Sequence, residues 1–131
     1  MTYNDRKSGI EELRKFVEFL NHECKVDSLV VVEGIKDQKA LRLIGFEGDI
    51  VVLNNFRGIT KFVDNMTIRN KKIILLLDMD QKGKILTSKI LSHMNSTCRH
   101  DHLHAKQRLA RITGGRLRHI EDLSTFAMAF S

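Results

Sequence analysis

Three short runs of this chain have no polar face: SLVVVEG from Ser28, DIVVLNN from Asp49 and KKIILLLDMD from Lys71. A strand with one wet side alternates apolar and polar residues. A run that is apolar at every position must be covered on both sides, as in a parallel sheet sandwiched between helices. The intervening segments supply those helices. Ser8 to about Asn21 places Ile10, Leu13, Phe16, Val17 and Leu20 at helical spacing, with Ser8 as N-cap and Glu11 three residues on. Lys36 to about Ile44 reads as a second helix, closed by Gly45. Ile59–Ile68 reads as a third, with Ile59, Phe62, Val63 and Met66 on one side. Ile85–Met94 follows with Ile85, Leu86, Ile90, Leu91 and Met94 inward. The stretch around Thr97–Leu103 reads as a short edge strand, and Ala105 to about Ile112 as a basic helix ended by Gly114-Gly115. A last helix starts near Ile120, with Leu123, Phe126 and Ala127 apolar. Strand and helix alternating in this way predict an α/β fold around a parallel sheet of about four strands. The 131 residues fit one domain, with an N-terminal helix over about 8–21 and a basic C-terminal extension over about 99–131.

Charge is unevenly distributed. Between Arg99 and His119 six basic residues (Arg99, Lys106, Arg108, Arg111, Arg116, Arg118) face one acid, Asp101, which accounts for five of the six net positive charges of the chain. Such a block beside a neutral body suits a polyanion-binding surface, or a solvated helix face with no partner. The two cysteines, Cys24 and Cys98, follow no zinc spacing and read as reduced thiols. No apolar run approaches membrane-spanning length, and the charged N-terminus has no signal-peptide core. The expectation is a cytoplasmic protein with no membrane partner.

Two of the apolar runs stop abruptly at carboxylates. Val30-Val31-Val32 meets Glu33-Gly34, and Leu75-Leu76-Leu77 meets Asp78-Met79-Asp80. Ligands of open parallel sheets bind beyond the carboxyl ends of the strands. If the first and third strands are neighbours, Glu33, Asp78 and Asp80 converge on one crevice. Three carboxylates together repel one another unless a cation compensates. A hard divalent ion such as Mg²⁺, with Mn²⁺ as the alternative, is the natural one. The i, i+2 spacing of Asp78 and Asp80 turns both the same way at a strand end. Gly34 and Gly83 are read as turn positions that open space for a phosphate. Asp37, in the first turn of the next helix, is either a macrodipole complement or a further metal ligand.

These residues resemble the Toprim signature: VVVEGIKDQKAL followed by ILLLDMDQKGK, over roughly Leu29–Leu91. The Toprim domain is shared by bacterial-type primases, type IA and type II topoisomerases, OLD-family nucleases and a maturation nuclease for 5S ribosomal RNA. The chain is most similar to its small stand-alone members. The resemblance implies a Rossmann-like three-layer α/β/α fold. It implies Glu33 as general acid or base, Asp78 and Asp80 as metal ligands, Asp37 at an acidic position of the following helix, and Gly34 and Gly83 at turns. Glu121, in HIEDL, is similar to an acidic position near the end of the nuclease members. The single tyrosine, Tyr3, argues against strand passage, and no zinc module or long primase core is present.

Other groups extend this picture. Lys82 and Lys84 flank the DxD loop, Asn54 and Asn55 end the second run, and Arg57 and Lys61 follow as phosphate contacts. His100, His102 and His104 alternate as on one face of a strand, which suits either a polar edge or a transition-metal site. The expected activity is metal-dependent phosphodiester chemistry, as an RNA-processing nuclease or nucleotidyl transferase. The expected partner is nucleic acid, RNA ahead of DNA, alone or in a ribonucleoprotein or protein complex. The alternative is a non-catalytic nucleic-acid or ribonucleoprotein binding module that keeps the metal site. A phospho-receiver ranks lower, because the last third of the sequence offers no buried strand ending in lysine.

Overall fold

Each apolar run forms a strand, and every strand runs the same way. The computed structural model describes residues 3–94 and 98–125, of which residues 3–8 are described by backbone alone. Helix α1 (Tyr3–Val26) leads into β1 (Ser28–Val32), α2 (Ile35–Leu43), β2 (Ile50–Val52), α3 (Ile59–Arg69), β3 (Lys72–Leu75), α4 (Gln81–His93), β4 (His100–Asp101) and α5 (His104–Thr113). Short 3₁₀ turns occupy Leu53–Asn55 and Ile120–Asp122. The sheet order is β2-β1-β3-β4, all parallel.

The strands explain the apolar runs. Along β1 and the β3 run, odd and even residues enter different cores. Leu29, Val31, Ile73, Leu75 and Leu77 face Phe62, Val63, Met66 and Ile90 of α3 and α4. Val30, Val32, Ile74 and Leu76 face Leu13, Phe16 and Leu20 of α1, Leu41 of α2 and Leu109 of α5. The result is the expected three-layer, Rossmann-like α/β/α sandwich. Leu76 and Leu77 lie beyond the ladder of β3 yet are fully buried, and the Leu76 N–H still reaches the Val31 carbonyl at 2.9 Å. No helix among the described residues is long and apolar enough to cross a membrane. Both cysteines are free, and burial pushes the Cys24 thiol up to about 11.

Several local expectations change. Helix α1 begins at Tyr3, so Ser8 lies within it rather than capping it. DIVVLNN is strand only to Val52, after which Leu53–Asn55 turns. Helix α4 starts four residues before Ile85, because the Asp80 side chain caps it by accepting the Gly83 N–H at 2.8 Å. Ile85 is half-exposed rather than inward. The edge strand shrinks to His100–Asp101; Asp101 then accepts the N–H groups of Leu103 and His104 and starts α5. His104 therefore sits on a helix, while His100 and His102 meet through Nδ1 atoms 3.2 Å apart. Thr97, Phe126 and Ala127 lie outside the described residues.

Candidate metal centre

The sheet order decides where the acids go. Because β1 and β3 are hydrogen-bonded neighbours, Glu33 and the Asp78-Met79-Asp80 loop leave the same edge of the sheet side by side. They line one cleft of about 450 Å³ together with Asp37, Asn54, Lys82, His119 and Glu121. Glu33 follows β1 directly, and its carbonyl accepts the Asn54 N–H at 3.0 Å, which ties the end of β2 to the cleft. Its carboxylate lies 3.6 Å from the exposed Lys82 ammonium.

The aspartates are held by different donors. Asp78 Oδ1 accepts the Ile120 N–H at 2.9 Å. Asp80 Oδ1 caps α4, and Asp80 Oδ2 lies 3.1 Å from His119 Nε2. Asp80 is held below the usual carboxylate range, first by the Gly83 N–H and then by the His119 ring. Asp78 thus leaves one oxygen to the cleft, whereas Asp80 engages both, one on the Gly83 N–H and one on the His119 ring. Ligand atoms of Asp78, Asp80 and His119 all lie within 4.8 Å of one another, close enough to share one cation.

His119 did not emerge from the sequence reading as a site residue. It arrives because α5 ends at Gly114 and Gly115, both in the left-handed region (φ 62° and 76°), which turn the chain back over the DxD loop. The Met79 N–H then reaches the Arg118 carbonyl at 2.7 Å. A Gly-Gly stop followed by a histidine beside two acids, HIED, is the trace this leaves in the sequence.

The glycines act differently from expectation. Gly34 is extended (φ −134°, ψ 174°), which any residue adopts, so no sharp turn requires it. Gly83 lies inside α4, where a Cβ would stand 1.9 Å from the Asp78 carbonyl oxygen. Its role is to let the helix touch the DxD backbone. Asp37 is buried and accepts the Gly34 N–H at 3.0 Å. Burial raises its pKa; the Gly34 N–H opposes that rise, and the charges of Asp78, Glu121 and Glu33 add to it. It lines the cleft outside the Asp78–Asp80–His119 cluster.

The basic residues scatter. Arg99 pairs with Asp27 and reaches the Asn70 carbonyl at 3.3 Å, at the opposite edge of the sheet from the acids. Arg108 stacks over Phe16 and Phe19 of α1, at 5.8 and 4.5 Å from the ring centres. Arg116 binds the Thr113 carbonyl, and Arg111 is exposed on α5. Arg57 and Lys61 are exposed and do not line the cleft. Asn55 does not line it either. Lys84, Lys106 and Arg118 line an adjoining groove.

No family model matches the sequence. A UPF0292 protein of Archaeoglobus fulgidus is 30% identical over 121 residues, covering 89% of this chain and 93% of the relative. The chain belongs to the UPF0292 family. A UPF0292 protein of Thermococcus gammatolerans is 26% identical over 114 residues, 86% of this chain and 84% of its own. One from Thermoplasma volcanium matches at 34% over 65 residues, about half of either chain. Among solved structures, a putative protein from Aquifex aeolicus superposes with a TM-score of 0.66 at 23% identity, over 82% of this UPF0292 chain and 94% of its own. That likeness establishes the fold.

Proposed function

We propose that this UPF0292 protein carries out divalent-metal-dependent phosphodiester chemistry on nucleic acid, as a nuclease-like Toprim protein acting on RNA. The observation that carries the reading is the meeting of Glu33, from the end of β1, with Asp78 and Asp80, from the end of the β3 run, in one cleft. The side chains of Asp78, Asp80 and His119 form the donor set for the ion. Carboxylates suit Mg²⁺ and Mn²⁺, and the imidazole tilts the set toward Mn²⁺. A bound ion supplies charge neutralisation on the phosphate and activation of the attacking oxygen.

The chain's own groups do the rest. Glu33 stands across from the aspartates and exchanges a proton with the attacking or leaving oxygen. Lys82, whose ammonium lies beside Glu33, turns to the phosphate. Asp37 holds the backbone after Glu33 by accepting the Gly34 N–H, and the Ile120 N–H holds the Asp78 carboxylate in place.

The test is a cleavage assay on total cellular RNA and plasmid DNA with Mg²⁺, Mn²⁺ or EDTA. Cleavage requires the ion. Glu33→Gln lowers the rate by about 10²–10⁴-fold, the usual share of general acid–base catalysis. Asp78→Asn abolishes metal-dependent cleavage while still accepting the Ile120 N–H. A full-rate Asp78→Asn protein sinks the mechanism. Metal-enhanced RNA binding without products leaves a binding module in its place.

A further inference from the structure

Beside the acidic cleft, and sharing Asp78 with it, a second groove of about 560 Å³ runs between α4 and α5. Its volume is that of a small-ligand site. Met79, Leu91, Leu103 and Leu117 supply apolar wall, and Leu103 is 54% exposed. Its cations are Lys84, Lys106 and Arg118, against Asp78 as the only acid of the lining among the described residues.

Lys106 is the informative group. Its ammonium donates to Thr87 Oγ1 at 3.1 Å, and Thr87 in turn donates to the Gly83 carbonyl at 2.8 Å. Burial depresses its pKa, and the more distant Asp78 charge offsets this only in part. Among the described residues no carboxylate stands at ion-pair distance from it. A desolvated cation with one neutral partner is costly, and an anionic ligand relieves that cost.

We infer that this groove binds one nucleotide unit, its phosphate on Lys106, Lys84 and Arg118 and its base against the leucine walls, next to the phosphate held in the metal cleft. The inference rests on the nucleic-acid reading above and names a subsite for it. Apolar wall alone would suit any greasy ligand, and three cations alone any anion. Their combination in one groove that opens onto Asp78 selects a nucleotide.

Binding of AMP, UMP, adenosine and inorganic phosphate to the full chain in EDTA tests it, with NMR shifts as the readout. EDTA removes the metal, so the outcome is independent of cleavage. AMP or UMP is expected to bind at least tenfold more tightly than adenosine or inorganic phosphate, with shifts at Thr87, Leu103 and Lys106. Lys106→Met should weaken AMP at least tenfold, and Lys106→Arg should restore most of it. Leu103→Ser, at an exposed position that folding tolerates, should weaken AMP and leave inorganic phosphate unchanged. AMP binding no tighter than phosphate, or unaltered in Lys106→Met and Leu103→Ser, overturns the inference, even for a protein that cleaves RNA. Tight AMP binding by a protein that never cleaves upholds the groove and removes the nuclease.

Discussion

Gly34 follows Glu33 and Gly83 packs on the backbone of Asp78, and they answer to different constraints. A methyl at Gly83 collides with the backbone oxygen of Asp78, which no rotamer relieves. A methyl at Gly34 meets Asn54 Nδ2 at 3.5 Å, an ordinary contact. Gly→Ala inside a helix usually stabilises. Here Gly83→Ala is expected to cost about 3 kcal/mol, the upper end of overpacking, and Gly34→Ala to stay within about 0.5 kcal/mol. Urea unfolding of both variants measures this, and equal costs would contradict it. Asp37 gives a pH test. Its pKa is higher folded than unfolded, so folding takes up protons just above the usual carboxylate value of about 3.9. Stability therefore falls as pH rises through that window. Asp37→Asn keeps an acceptor for Gly34 and removes the charge. In the absence of metal it should unfold at higher urea than the parent at pH 7, with the gap closing toward pH 3.

At the scale of elements, the site depends on a segment that belongs to no strand or long helix. Residues 118–120 lie on the DxD loop through three contacts: Arg118 carbonyl to Met79, His119 ring to Asp80, and Ile120 N–H to Asp78. His119→Ala should lower Mn²⁺ affinity by about tenfold or more, the range lost with groups that ligate or orient. It should lower Mg²⁺ affinity less, since imidazole favours the softer ion. Titration calorimetry with both ions decides, and equal losses would remove His119 from the ligand set. This segment also marks how far the sequence could be read. Strands and the Glu33 and Asp78-x-Asp80 ends were legible because burial on both faces writes an unbroken apolar run. The adjacency of β1 and β3 stood as a condition that only topology settles. His119 was not legible, since its 39-residue separation from Asp80 leaves no periodicity. The surroundings of the basic block were not legible for a related reason. Arg99 and Arg108 look alike in sequence, yet one pairs with Asp27 and the other stacks on α1.

For the whole molecule, the sheet concentrates carboxylates at the carboxyl ends of its central strands, where Lys82 and His119 form the ion pairs with Glu33 and Asp80. An ion that binds only the folded chain stabilises it by about 2.7 kcal/mol at a hundredfold excess over Kd. For a chain of 131 residues that is a melting-temperature rise of roughly 10 °C, at about 4 °C per kcal/mol. Mn²⁺ should produce this rise in the parent and not in Asp78→Asn. An equal shift in both places the ion elsewhere.

The bond from Ile120 back to Asp78 spans 42 residues, and that interval is also a duration. A ribosome adding about 5–20 residues per second makes Asp78 roughly 2–8 s before it makes Ile120. During that interval the nascent chain already carries its aspartates but has neither the histidine nor the backbone donor that organises them.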